Sequence, residues 1–440
     1  MDGFTGYAKE LESLISGIAS PREGSPAAVL ALSESVHDRL RADVPLHLRR
    51  QHGAFFTGKS LAKLVAGPEW LGNIPDTIID PACGGGDLLL ALASRLPVGR
   101  SLSETISIWE SRLRGHDLEP EFVRVARSRL TLLAWSRTTN KNDPPPEESF
   151  KTISIQNGLT SNWDEEEMRP GAVILNPPFS GTEAPNNCSW ATGKVSTAAL
   201  FVNCCIDRMG PGTRLVAILP EVLRSGTRYH RWRQWVERRA IVQKIEPMGR
   251  FDQHADIHVF LCQLQIRNKQ ITRGNRNTWI SLTPCRRSVG DFFDTWTGPV
   301  VEHRHPKRGQ RHPYAHPRIC KAWGTMGTDS LDNRRFKGRT FTPPFVVIRR
   351  TSRPEDQFRI VPTVIKGETR VAVENHLIVL CPHDATLASC RALVKHLKQP
   401  DSSEWMNKRL RCRHLTVQAV RELPWDGRSS KNHRSCHARL

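Results

Sequence analysis

Thr77-Ile78-Ile79-Asp80-Pro81-Ala82-Cys83-Gly84-Gly85-Gly86-Asp87, running on into Leu88-Leu89-Leu90-Ala91-Leu92-Ala93, decides the fold. A short apolar run breaks at Asp-Pro, crosses three glycines and enters a leucine- and alanine-rich stretch. That order predicts a buried strand, a tight turn and a helix packed behind it. Consecutive glycines take positive φ at little cost and let a ligand approach the backbone closely. At the carboxyl end of a first strand, doubly wound sheets bind nucleotide-like cofactors. The G-K-[ST] ending of a phosphate loop is absent.

Outward from this turn, strand-like and helix-like segments alternate. Residues 112–117, 151–156, 171–175, 214–219, 242–248 and 259–266 read as further strands. Residues 121–135, 196–209 and 229–240 read as helices. Strands alternating with helices imply a parallel sheet covered on both faces. The expected fold class is therefore α/β: a Rossmann-like core with a parallel-rich twisted sheet. Residues 1–52 are expected as an N-terminal helical segment and 53–270 as the core. Residues 271–340, rich in Arg, His, Gly and Pro, read as a basic irregular linker. There His303, His305, His312 and His316 suit a solvated basic loop better than a metal site. From 341 to 426 strand-like runs (344–350, 358–365, 369–375, 376–380) and helical ones (385–399, 417–423) imply an α+β domain of target-recognition type. Residues 427–440 are a basic tail.

Composition narrows the partner. Lys and Arg number 64 against 44 Asp and Glu, a formal net charge of +20. So large an excess attracts polyanions, and nucleic acid is the commonest. No stretch approaches the roughly 20 apolar residues of a membrane span. The acidic N-terminal segment is unlike a secretory signal, and the 11 scattered cysteines read as free thiols. The expected location is cytoplasmic.

Two strand ends carry the chemistry. Asp117 follows the second strand, where a carboxylate can accept both hydroxyls of a ribose or simply favour a helix N-terminus. Asn176-Pro177-Pro178-Phe179 follows the strand 171–175. Two prolines fix the backbone and remove two N–H donors. Carbonyls and the Asn side-chain oxygen remain as acceptors, suited to holding the hydrogens of an amino group. Phe179 offers a flat face to a base taken out of a duplex.

These motifs, in this order, resemble the amino-methyltransferases of DNA, in particular the N6-adenine group that includes the modification subunits of type I restriction systems. The resemblance covers residues 53–267. Phe55-Phe56-Thr57-Gly58 looks like the family's aromatic-Thr-Pro element at the methionine end of the cofactor, with Gly58 in place of the usual proline. Asp80 to Asp87 looks like the D-P-x-x-G-x-G cofactor loop, and Asn176 to Phe179 matches the catalytic tetrad unchanged. The family often has an acidic residue near Asn157, and asparagine there can still hydrogen-bond adenine. The resemblance implies S-adenosylmethionine as cofactor, bound by Thr57, Asp80, Pro81, Ala82, Gly84, Gly86, Asp117, Asn157 and Asn176. It implies Asn176, Pro177, Pro178 and Phe179 as the catalytic residues and double-stranded DNA as partner. Restriction or specificity subunits are expected in other chains, because no nuclease constellation is evident. The cofactor loop precedes the tetrad and a further domain follows, similar to the gamma arrangement, in which a C-terminal domain reads the DNA. There Arg349, Arg350 and Arg353 are candidates for phosphate or guanine contacts. The loop 181–196 is expected to close over the site with Trp190 lining it, and arginines at 228, 231, 233, 238 and 239 to share a helix that can track phosphate. Alternatives are cytosine N4, RNA or protein methylation, and a non-catalytic DNA-binding module that kept the fold.

Overall fold

The two isoleucines of β1 (Ile78–Asp80) pair on both sides, which is why the strand is buried along its whole length. The computed structural model describes residues 2–18, 38–39, 42, 45, 57–140, 143–161, 170–251, 257–270, 279–280, 282 and 285–427. Ile78 lies opposite Leu113 of β2 (Leu113–Asp117) and opposite Ala172 of β4 (Ala172–Leu175), both parallel. With β3 (Ile153–Ile155), β7 (Arg214–Pro220), β8 (Ala240–Arg250) and β9 (His258–Ile266) they form a seven-stranded sheet of order β3-β2-β1-β4-β7-β9-β8. Six strands run in one direction, five of them paired parallel in a row, and β9 alone is reversed, antiparallel to both β7 and β8. The chain leaves β1 toward β2 on one side and returns on the other at β4. The carboxyl ends of β1 and β4 therefore flank a topological switch point.

Helices cover the sheet by the spacing of their apolar residues. α1 (Asp2–Ile18) buries Phe4, Tyr7, Ala8, Leu11 and Ile18, a single face at three-four spacing. α2 is Lys59–Val65, α3 Asp87–Ala93, α4 Leu102–Glu110, α5 Pro120–Arg137, α6 Thr197–Arg208 and α7 His230–Arg239. α1 lies on α5: the Phe4 and Phe122 rings meet edge-to-face at 5.4 Å, and Arg124 binds Glu12 at 2.6 Å. The N-terminal helix is thus part of the core's packing. Of the rest of the segment expected to be helical, residues 38–39 and 42 are helical and most of the others lie outside the described residues. α4, Ser-rich and short, was not expected from the sequence.

The segment 181–196 also differs from expectation. It is a hairpin of β5 (Gly181–Glu183) and β6 (Lys194–Ser196). Trp190 is buried against Tyr229, with ring centroids 6.1 Å apart, and the Tyr229 hydroxyl accepts from the Ser196 N–H at 2.9 Å. Its place in the core, not in a ligand space, follows from that packing. On α7 Trp232, Trp235 and Val236 face inward, Arg239 lies over the Trp235 ring, and Arg233 donates to the Leu223 carbonyl.

The chain divides into two compact units, residues 1–224 with 228–279 and residues 225–227 with 280–440. The second unit holds a five-stranded sheet of order β10-β17-β14-β15-β12 and a three-stranded one of order β13-β11-β16. Its strands are β10 (Phe293–Thr297), β11 (Gln310–Ala315), β12 (Thr325–Gly327), β13 (Asp332–Phe336), β14 (Phe345–Arg349), β15 (Pro362–Lys366), β16 (Ala372–Val373) and β17 (Leu377–Pro382). Period-two alternation sorts the central strands into two cores. Val346, Ile348, Ile378 and Leu380 join one cluster with α8 (Leu387–Leu397), α9 (Pro400–Arg409) and α10 (Val417–Arg421). Phe345, Val347, Leu377 and Val379 join the other. Burial on both faces is why Phe-Val-Val-Ile and Leu-Ile-Val-Leu read as unbroken apolar runs.

Residues 271–340 are therefore not a linker throughout. Strands β10 to β13 lie within them and belong to the second unit. His312 is buried on β11, His316 binds Asp332 at 2.8 Å, and the His305 Nδ1 accepts from the Val301 N–H at 2.9 Å. These three histidines brace the strands, while His303 is exposed on a turn as the solvated-loop reading expects. Arg349 donates to the Cys320 carbonyl at 3.1 Å, while Arg353 is exposed. Residues 428–440 of the expected tail lie outside the described residues. Among the described residues every cysteine is a free thiol, no helix is long and apolar enough to cross a membrane, and no cluster of His, Cys, Asp or Glu could hold a metal.

Candidate active site

Beyond Asp80 the ladder does not stop at once. The Cys83 N–H donates to the His116 carbonyl on β2 at 2.9 Å, and the Gly84 N–H donates to Asp117 Oδ2 at 2.9 Å. Asp117 Oδ1 accepts from the Glu119 N–H at 3.0 Å. The turn then tightens through Gly84 and Gly86, both in the left-handed region (φ 52° and 83°). At Gly86 a Cβ would also meet the Ala126 Cβ at 3.0 Å. Glycine is required there for conformation and for helix packing together.

A third turn comes from the end of β3. Asn157 Oδ1 accepts from the Leu159 N–H at 3.0 Å, an Asx turn that caps its own loop. A Cβ on Gly158 would stand 1.9 Å from the Pro81 carbonyl oxygen, so the β3 turn lies directly against the Gly-rich one. From the end of β4, the Asn176 Nδ2 donates to Thr57 Oγ1 at 3.0 Å. That bond sets the amide plane and assigns its donor end.

These four strand ends surround one cavity of about 310 Å³, within the range of nucleoside-sized sites. Thr57, Asp80, Pro81, Ala82, Gly84, Asp117, Asn157, Asn176 and Pro178 line it. Three residues named from the sequence do not. Gly86 faces Ala126, Pro177 is buried, and Phe179 is half-buried, meeting Phe251 edge-to-face at 5.4 Å. Phe55 and Phe56 lie outside the described residues. Sequence reasoning missed Leu118, Phe122, Leu159 and Phe201, which supply apolar wall, and Asp87, Ser180 and Thr197. Leu118 had a signal, being an apolar residue directly after a strand-end aspartate; Phe122 and Phe201 carry only the spacing of core residues.

Electrostatics follow from burial. Asp80 is 1% exposed, and loss of water pushes its carboxyl up to about 8; the Ala82 N–H bond opposes this and the nearby Asp117 charge adds to it. Asp117 is raised for the same first reason, with backbone N–H bonds from Glu119 and Gly84 opposing. Two carboxyls this close favour a cationic ligand between them and the solvent.

The cavity suits S-adenosylmethionine. Its lining combines what that molecule needs: a strand-end carboxylate for ribose, apolar walls for a base, and acidic groups near a cation. A sheet of this order, five parallel strands ending in an antiparallel pair, with such a cavity at the switch point, is that of the S-adenosylmethionine-dependent methyltransferases. Within that class the N-6 DNA Methylase family model matches residues 46–243. That stretch is similar to the DNA methylases of the N6 type.

Three similar proteins bear on the rest. A type II restriction enzyme and methyltransferase of Heyndrickxia coagulans, RM.BcgI, is 23% identical over 180 residues, 40% of this chain and 25% of that protein. The type IIL restriction-modification enzyme MmeI, solved in complex with DNA, is similar over 88% of this chain and 70% of its own at 12% identity and a TM-score of 0.54. That likeness shows the fold. A modification subunit of a type I restriction enzyme from Vibrio vulnificus YJ016 is 18% identical, covering 51% of this chain and 47% of its own, with a TM-score of 0.39. The match spans a quarter of the curated relative's length and about half of the type I subunit's.

Asp80 gives a pH test. Its folded carboxyl holds a proton up to about 8, while an unfolded one releases it near 3.8. Between those values the folded state binds more protons, so stability from this group falls as pH rises. Asp80→Asn, neutral at every pH, removes that slope. The melting-temperature difference between variant and wild type should shift in the variant's favour from pH 5 to pH 8; a constant difference would mean Asp80 is ionised throughout.

Proposed function

We propose that the chain methylates the exocyclic amino group of adenine in double-stranded DNA and serves a restriction-modification system. The observation that carries this is the Thr57–Asn176 bond at the cavity wall: it sets an amide from a strand-end Asn-Pro-Pro-Phe beside the Gly-rich turn. When bound, S-adenosylmethionine supplies an electrophilic methyl group. Asp117 would take its ribose, the turn from Asp80 to Gly84 its methionine end, and Leu118 and Asn157 its base.

The chain's own residues then act on the acceptor. Asn176, its donor end engaged by Thr57, presents its amide oxygen to one amino hydrogen of the base, and the Pro177 carbonyl takes the other. Holding both hydrogens turns the nitrogen lone pair outward and stabilises the positive charge that grows on it, which is catalysis by placement and electrostatics. The methyl that the cofactor would supply would pass to this exposed lone pair, and the nitrogen would then give one proton to solvent. Phe179, edge-on to Phe251, offers its remaining surface to the base.

The second unit supports the choice of DNA. Residues 285–427 hold 26 Lys and Arg against 14 Asp and Glu. Arg311 on β11 lies directly opposite Arg335 on β13, and both are exposed. Like charges in register on neighbouring strands repel, and a phosphate between them removes the cost. The same reading puts the protein in the cytoplasm, with restriction or specificity subunits in separate chains.

Two measurements test this. Labelled methyl should pass to unmodified DNA and be recovered as N6-methyladenine, and Asn176→Ala should lower turnover by roughly three powers of ten. Label on cytosine or in protein would refute the substrate, and unchanged turnover would remove Asn176. Arg311→Gln with Arg335→Gln should reduce the salt dependence of DNA binding by about 0.9 per lost phosphate contact. An unchanged slope would exclude that pair from the interface.

A further inference from the structure

Gly58 stands where the resemblance expects proline, and the structure uses the difference twice. Its φ is +71°, which proline cannot adopt, and its N–H, which proline lacks, donates to Asp87 Oδ2 at 3.0 Å. The other oxygen of that carboxylate, Oδ1, accepts from Arg129 Nη1 at 2.9 Å. Arg129 is 7% exposed and also donates to the Gly85 carbonyl at 2.5 Å, inside the cofactor turn. Next to Gly58 is Thr57, whose hydroxyl holds Asn176.

From these bonds we infer that Arg129, Asp87 and Gly58 are positioning residues for the methyl-acceptor end of the site. Resting on the methyltransferase reading above, this adds a route by which the cofactor turn fixes the tetrad. Arg129, anchored on α5, holds Gly85 and Asp87 in one grip. Asp87 holds the Gly58 backbone, Gly58 sets where Thr57 stands, and Thr57 sets the plane of the Asn176 amide. A pair this buried, with side chains 8% and 10% exposed, persists only with good geometry and further bonds, and each partner here has one. Arg129 does not line the cavity, so its effect on chemistry passes through Asp87 and the Gly85 carbonyl; Asp87 does line it, and a direct role toward the cofactor must be separated from the relay.

Asp87→Asn makes that separation. The amide keeps the size but has one acceptor oxygen, so it cannot accept from both Arg129 and Gly58. The relay predicts three results. Exchange of the Gly58 amide hydrogen, measured without cofactor or DNA, speeds by about tenfold. Affinity for S-adenosylhomocysteine stays within about threefold, while kcat for DNA methylation falls by about 100-fold, the scale of an ångström-sized misplacement. In a cycle with Thr57→Val, the two losses in kcat do not multiply, since both break one chain of contacts. Arg129→Lys, which keeps the charge but not the fork, gives the same kcat-selective loss and guards against a folding failure of the first variant. An unmoved Gly58 exchange rate, losses that multiply, or a defect confined to cofactor affinity would each overturn the relay. A wild type that transfers no methyl to adenine refutes instead the reading on which the relay rests.

Discussion

Two hydrogen bonds, from Cys83 to the His116 carbonyl and from Gly84 to the Asp117 carboxylate, extend the β1–β2 pairing past the end of β1. The rest of the site depends on them. They hold a three-glycine turn, with Gly84 and Gly86 left-handed, that would otherwise sample many conformations. They also place the half-buried Asp117 at a fixed height beside the turn. Because β4 lies on the other flank of β1, Asn176 arrives at the same level from the opposite side. Sheet order, rather than any contact within the tetrad, brings the two motifs to one cavity.

The molecule meets its electrostatic costs in two different ways. In the first unit two cavity carboxyls carry the cost: buried Asp80 and half-buried Asp117 are pushed upward by loss of water. A binding partner with positive charge would relieve that cost. In the second unit cations predominate at the surface, and Arg311 faces Arg335 in register. A partner with negative charge would relieve it there. A cationic cofactor and an anionic polymer are the complementary pair, and a DNA methyltransferase binds both.

Much of the core was legible in the sequence because its signals are local. Ile78-Ile79 before Asp-Pro, three glycines and a leucine-rich helix identify strand, turn and helix without reference to anything distant. The apolar runs at 345–348 and 377–380 likewise announce strands buried on both faces. What the sequence concealed depends on partners far along the chain. Residues 293–336 read as irregular because their strands carry Pro313, histidines and arginines at exposed or braced positions, and only the pairing of β11 with β13 and β16 makes them strands. Trp190 read as a cavity residue, yet Tyr229, 39 positions later, takes it into the core. Gly58 read as a weakened motif, and its meaning emerges only when Asp87 is found beneath it. Asn157, expected near the cofactor base, spends its oxygen on its own turn and has its amide hydrogens left to offer a ligand.

On the proposed function one cavity serves two separable tasks, with Asp117 holding cofactor and Asn176 acting on the base. Calorimetric titration with S-adenosylhomocysteine tests it most directly, using the wild type, Asp117→Ala and Asn176→Ala. The account predicts one site per chain, binding lost in Asp117→Ala and retained in Asn176→Ala. No binding to the wild type, or undiminished binding to Asp117→Ala, would contradict it.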